Sequence, residues 1–144
     1  MDHDVESLAR KDLDDMNRGD MDAVRDARDP HEYVYEQSGD VRVEGRDAAL
    51  EWFRQWRAAF PDLNGELLRS VAAGDTVVSE IRWTGFHRGA LPEAAGGAAA
   101  TGRGISALGT MWQTYRDGKL IAERNHFDGM LILTQLGLMA PPPA

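Results

Sequence analysis

The chain has 144 residues, of which 42% are hydrophobic and none is cysteine, and its formal net charge is −8. This length and composition predict one soluble globular domain with a hydrophobic core, and no apolar run is long enough for a membrane helix. The missing cysteines exclude disulfide bonds and Cys-ligated zinc, and the acidic charge disfavours nucleic acid and anionic membranes. We therefore expect a cytoplasmic protein whose partner is a small molecule or a second copy of itself.

The first forty residues carry much of the negative charge. Residues 4–17 have helical periodicity in their apolar positions, which are Val5, Leu8, Leu13 and Met16. Asp20 can cap a second short helix, which Asp29-Pro30 closes. We interpret the intervening acidic side chains as the solvated faces of these helices.

Residues 31–60 predict a strand followed by a helix. Tyr33 and Tyr35 share one face of the strand 31–37. Residues 46–60 repeat their large side chains at steps of three and four, and Pro61 ends the helix. Such an aromatic stripe is more often part of a core than a platform for a ligand.

Two strands, 63–74 and 76–89, are predicted next. Alternation in the second places Trp83 and then His87 on its apolar face. A histidine there can be a hydrogen-bonded core residue or part of a site, and both interpretations stay open. Residues 90–104 are rich in alanine and glycine and predict a flexible loop or lid.

Strands 105–115 and 120–128 are joined through Asp117-Gly118, and the length of this turn decides which side chains share a face with Asp128. A two-residue loop groups Asp128 with Met111, Gln113 and Tyr115. A three-residue loop with a left-handed Gly118 groups it with Trp112, Thr114, Arg124 and His126. Both turns are chemically reasonable.

Residues 129–137 predict a short helix that stops at Gly137, followed by a loose tail over 138–144. Asp128 is then either the N-cap of this helix or a functional carboxylate. The order of helices and strands lacks a βαβ rhythm and predicts a single α+β domain, residues 1–144. Helices over the concave face of a strongly bent antiparallel sheet would enclose a pocket.

Several short motifs together resemble the SnoaL-like polyketide cyclases, or ester cyclases, of the nuclear-transport-factor-2-like superfamily. They are NRGDMDAV (17–24), AFPDL (59–63), AGDTVV (73–78), GFHRG (85–89), TGR (101–103), YRDGK (115–119), Asp128 and QLG (135–137). The resemblance implies a cone-shaped α+β barrel around an apolar pocket, and a homodimer formed through the sheet. It also implies an enzyme that uses no metal and no organic cofactor.

The resemblance assigns Asp128 as the acid/base of an intramolecular aldol ring closure, and it matches His87 to the G-x-H-x-G histidine. It favours the three-residue turn, which would place polar site residues beside Asp128. Many relatives carry E-H-W before the aspartate, whereas this chain has Ala122, Glu123 and Arg124. The wall around the acid therefore differs from that of many relatives.

The pKa of Asp128 decides how well it can act as a base in this ring closure. Burial beside Trp112, Trp83 and Phe127 would raise the pKa of Asp128 and make it a better base, with His87 and His126 handling the second proton. If Arg124 faces Asp128, it lowers that pKa instead. The predicted substrate-binding residues are Trp83, Trp112, Thr114, Tyr35, Trp56, Phe60 and Arg124.

Other chemistries find no support in the motifs. The four histidines lack metal-ligand spacing, there is no G-x-S-x-G, and the glycine pairs lack the context of a phosphate loop. We expect a cofactor-independent cyclase acting on an aromatic polyketide or similar bulky apolar substrate. The alternatives are a polyketide hydroxylase that uses an externally supplied reduced cofactor, an epoxide hydrolase, and a non-catalytic ligand-binding or dimerisation domain.

Overall fold

A computed structural model describes residues 4–141 and 143. The elements are helices α1 (Val5–Arg18), α2 (Met21–Asp26), α3 (Arg46–Ala59) and α4 (Gly129–Gln135), a 3₁₀ turn (Glu93–Ala95), and strands β1 (Val34–Gln37), β2 (Val41–Glu44), β3 (Asn64–Ala73), β4 (Thr76–Phe86), β5 (Gly104–Arg116) and β6 (Lys119–Phe127). The predicted tail, 138–144, lies partly outside the described residues.

The helix boundaries have local causes. Asp4 accepts hydrogen bonds from the backbone of Glu6 and Ser7 at the start of α1, and Asp20 accepts one from Ala23 at the start of α2. The end of α1 is fixed to β3 because the Asn17 side chain both donates to and accepts from the Gly65 backbone, at 2.9 and 2.8 Å.

The six strands form one curved sheet in the order β2-β1-β6-β5-β4-β3, antiparallel except for the β1–β6 pair. Helices α1, α3 and α4 lie over the concave face, and buried side chains alternate along β4 and β5. This arrangement confirms the predicted α+β fold with a bent sheet and covering helices.

The register at the β5–β6 hairpin has a different origin from the one we predicted. Asp117 and Gly118, with φ of 50° and 78°, form a two-residue turn between the paired residues Arg116 and Lys119. The prediction of a three-residue loop is therefore wrong. A β-bulge at Ile121 shifts the pairing by one residue, and the register expected from the longer loop results.

The helices are also less solvated than the charge pattern indicated. Asp12 and Asp15 in α1 are buried. Asp15 forms ion pairs with Lys11 and Arg18, and Asp12 pairs with Arg28 from the segment after α2. The interpretation of all this acidity as a solvated face is wrong at these two positions, because basic side chains from the helix and the next segment compensate their burial.

Candidate active site

A central cavity lies between the concave face of the sheet and the helices and opens to solvent, with about 750 Å³ of free space when its opening is included. Its lining is mainly aromatic and aliphatic. Trp56 stacks on Phe60 at 6.3 Å between ring centroids and meets Phe127 edge-on at 6.4 Å. Such a cavity suits a bulky apolar ligand that makes a few oriented polar contacts.

Four of the residues predicted to bind substrate line this cavity: Tyr35, Trp56, Phe60 and Trp83. Each points inward because the periodicity of its strand or helix places it on the covered face. Their contact with a substrate stays a prediction.

Three other predicted pocket residues, Trp112, Thr114 and Arg124, lie on the opposite, convex face of the sheet. Trp112 is 47% exposed, Thr114 hydrogen-bonds Thr76, and Arg124 approaches Glu36 at 3.4 Å. His126 is exposed on the same face. The bulge at Ile121 gives them a common face, as expected, but this face points away from the cavity.

Asp128 is exposed at the junction of β6 and α4 and is not among the residues that line the cavity. Its Oδ1 accepts a hydrogen bond from the Leu131 backbone at 3.0 Å, so it is the N-cap of α4. The expected burial beside Trp83, Trp112 and Phe127 is not found, because Asp128 follows His126 on the convex side of β6. Its catalytic role stays a prediction.

His87 is fully buried behind the cavity wall, with its ring 5.4 Å from that of Phe60. Its Nδ1 accepts a hydrogen bond from the Thr101 backbone at 3.1 Å. The His87 backbone pairs with Arg103 and Gly102 at 2.8 Å each. His87 thus fastens the end of the 90–104 loop to the end of β4, and Phe60 separates it from the cavity.

Sequence reasoning missed the carboxylate that does line the cavity, Glu123. It is 3% exposed, and three side chains donate to it: Arg28 (2.9 Å), Tyr33 (2.5 Å) and Gln113 (2.7 Å). Arg28 also forms two hydrogen bonds with Asp12, at 2.8 and 3.1 Å. The available signal was the alternation of Glu123, Asn125 and Phe127, which share one face of β6. The bulge at Ile121 puts this alternation one residue out of step with the residues of β6 nearer the turn.

The electrostatics of this network follow from its burial. Burial by itself lowers the pKa of the Arg28 guanidinium, but the charges of Asp12 and Glu123 raise it well above its ordinary value. Burial and the Glu123 charge raise the pKa of the Tyr33 hydroxyl. Arg28 therefore stays a cation and Tyr33 a hydrogen-bond donor to Glu123.

Three polar atoms of the cavity wall have no hydrogen-bond partner within the described part of the chain. They are Trp56 Nε1, Trp83 Nε1 and Asn125 Oδ1, and all three are buried. Buried polar atoms are normally paired in a folded protein, so these are positioned for partners on a ligand or on bound water.

A curved open sheet with helices over an apolar cavity defines a small-molecule-binding protein of the SnoaL type. The sequence profile of the SnoaL-like polyketide cyclase family matches residues 7–136. The chain belongs to this family, whose members are described as cyclases.

Solved structures show the same fold. A candidate SnoaL-like polyketide cyclase from Jannaschia sp. CCS1 has a TM-score of 0.84 and 22% identity, with 99% of each chain covered. IdmH, a candidate polyketide cyclase from Streptomyces antibioticus, has a TM-score of 0.80 and 22% identity, covering 94% of this chain and 99% of IdmH. AclR, a candidate hydroxylase from Streptomyces galilaeus, has a TM-score of 0.82 and 24% identity, covering 96% of this chain and 84% of AclR.

No curated protein matches the sequence significantly. Among the described residues, none of the helices is long and apolar enough to span a membrane.

Proposed function

We propose that this enzyme closes a ring by intramolecular aldol addition on an aromatic polyketide or a similar bulky apolar substrate, with Glu123 as the acid/base. The observation that carries the proposal is the position of Glu123, the one carboxylate within residues 4–141 and 143 that both lines the central cavity and is held by three donors. General acid–base catalysis requires such a group within reach of the reacting carbon.

The two oxygens of Glu123 differ in what they can do. Oε1 accepts from both Arg28 and Tyr33, whereas Oε2 accepts from Gln113 alone. A carboxylate oxygen has two acceptor directions, so Oε2 retains one for a substrate proton. The three donors fix the position of the carboxylate at the cavity wall. Carboxylates in general are weak bases, so we expect a substrate with an acidified C–H bond, such as one between two carbonyl groups of a polyketide.

The reaction balances without a cofactor. Glu123 Oε2 removes a proton as the C–H bond breaks, and the resulting enolate carbon attacks a second carbonyl carbon of the same molecule. A C–C bond forms, and the carbonyl oxygen becomes an alkoxide. Glu123 returns the proton to this oxygen, which gives an alcohol and regenerates the carboxylate.

The proton-transfer step can be tested with 2-tetralone, a bicyclic aromatic ketone, by following deuterium uptake at C1 in D₂O by NMR. We expect the wild type to accelerate exchange and Glu123→Gln to lower the enzymatic rate about 100-fold or more. Glu36→Gln is the matched control, because Glu36 is also paired with arginines but lies on the convex face. Unchanged exchange in Glu123→Gln would refute the assignment, and no exchange by wild type would favour epoxide opening or hydroxylation.

We also propose that two copies dimerise through the convex face of the sheet. Val71, Val78 and Trp112 form a cross-strand apolar row there, and Val71 and Trp112 are 64% and 47% exposed. A contiguous exposed apolar patch is typical of an interface. Trp112→Glu should yield monomers by sedimentation, whereas Met130→Glu, an exposed residue of α4, should not. A monomeric wild type would contradict the proposal.

A further inference from the structure

On the concave face of the sheet, the Trp83 indole lies directly over Gly109 on β5, beside the Asn125 side chain. A Cβ built on Gly109 would lie 3.0 Å from Trp83 Nε1 and 3.5 Å from Asn125 Oδ1. We call the group formed by Gly109 and the two polar atoms beside it, Trp83 Nε1 and Asn125 Oδ1, the Gly109 notch. Both polar atoms are buried, and neither has a partner among residues 4–141 and 143. The notch thus places one unpaired donor beside one unpaired acceptor.

Two glycines set the position of the donor. Trp83 lies across the sheet between β3 and β5, and a Cβ on Gly65 would come within 2.9 Å of its ring. A side chain at either Gly65 or Gly109 would displace the indole. The glycines therefore let the ring lie against the sheet with its N–H directed toward the notch.

The acceptor is free because its polar neighbours are bonded elsewhere. Trp52 Nε1 donates to Gln37 Oε1 at 3.1 Å, and the Tyr35 hydroxyl donates to the same oxygen at 2.8 Å. The Tyr35 proton therefore does not pair with Asn125. Asn125 Oδ1 lies 3.5 Å from the position of a Cβ on Gly109 and has no partner in the described part of the chain, which leaves it for a donor on a ligand.

We propose that Trp83 Nε1 and Asn125 Oδ1 bind a single hydroxyl group of a phenolic or enolic ligand in the Gly109 notch. The hydroxyl oxygen accepts from Trp83, and its proton is donated to Asn125. Neither a ketone nor an ether can satisfy both atoms, because neither has a proton to donate. The inference rests on the proposed function only in using the same cavity, and it deepens that function by selecting a hydroxylated aromatic ring as the substrate class.

Binding of 2-naphthol, compared with naphthalene and 2-methoxynaphthalene, tests the notch by calorimetry without any reaction. We expect the wild type to bind 2-naphthol about tenfold more tightly than either analogue, which corresponds to about 1.4 kcal/mol. Trp83→Phe and Asn125→Leu should each bring this preference close to one while naphthalene still binds. Gly109→Ala should do the same, since its Cβ would displace the Trp83 indole. Trp112→Phe, which removes an indole N–H on the convex face outside the cavity, is the control and should keep the preference.

A second readout uses the wild-type protein alone. The indole N–H resonance of Trp83, assigned by triple-resonance NMR of the wild type, should shift on addition of 2-naphthol but not of naphthalene. Equal affinity for the three probes, or a preference that survives in Trp83→Phe, would overturn the proposal. Either result would leave the deuterium-exchange test of Glu123 unaffected, so failure of the notch and failure of the proposed function are distinguishable.

Discussion

Replacing Arg28 by methionine tests the buried charge network. The side chain is fully buried and forms ion pairs with two carboxylates, Asp12 and Glu123, which are themselves 4% and 3% exposed. Methionine has a similar length but leaves both carboxylates without their cation. Removing one partner of a buried ion pair destabilises a protein by about 3–5 kcal/mol. This is a large part of the roughly 5–15 kcal/mol that holds a domain folded.

The effect should depend on pH in a defined direction. In Arg28→Met one of the two carboxylates can relieve the repulsion by binding a proton in the folded state. Unfolding releases this proton, so the stability of the variant falls as pH rises. The deficit relative to wild type should therefore be larger at pH 8 than at pH 5.

Urea denaturation at both pH values measures this deficit directly, and thermal unfolding should show a fall in Tm of about 10 °C at neutral pH. Arg54→Met, at an exposed position of α3, is the matched control and should change stability by no more than about 0.5 kcal/mol. A deficit below about 1 kcal/mol for Arg28→Met, or one that is equal at the two pH values, would refute this account of the network.

Two further predictions concern the tyrosines and the β4–β5 connection. Burial, followed by nearby carboxylate charge, raises the pKa of all three tyrosines, Tyr33, Tyr35 and Tyr115. Their folded-state pKa values exceed the unfolded value near 10, so their contribution to stability is lost as pH rises above 10. Tyrosinate absorbance should appear only together with unfolding, and a tyrosine that ionises near pH 10 in the intact fold would contradict this. Gly89→Ala should lower stability by about 2 kcal/mol, because its Cβ would lie 2.2 Å from the Ala58 carbonyl oxygen. Gly129→Ala, which meets open space, should not lower Tm, and equal Tm values for the two variants would contradict the packing.

The sequence predicted the fold well because its signals are local. The strand alternation that placed Trp83 inward and the turn residues Asp117-Gly118 are both found in the structure. The bulge at Ile121 has no comparable signal, since an isoleucine there fits a regular strand equally well. The bulge brings Glu123 and Asn125 to the concave face.

The site was harder to predict than the fold because burial of charge is a tertiary property. Asp12 and Arg28 look like surface residues in the sequence, and only tertiary packing brings Arg28 to Glu123 and Asp12 to Gln113. Asp128 had two interpretations, a cap and a catalytic acid. The structure shows that it caps α4, and its catalytic role stays a prediction.

The most direct test of the central claim is ring closure itself, measured with two variants of the competing carboxylates. The probe is 2-methyl-2-(3-oxobutyl)cyclohexane-1,3-dione, whose intramolecular aldol product is resolved by chromatography. Our account predicts that Glu123→Gln loses the enzymatic rate about 100-fold or more. It predicts that Asp128→Asn, which preserves the helix cap, keeps the rate within about threefold. Loss of activity in Asp128→Asn with activity retained in Glu123→Gln would contradict the account and would assign the reaction to Asp128 at the N-terminus of α4.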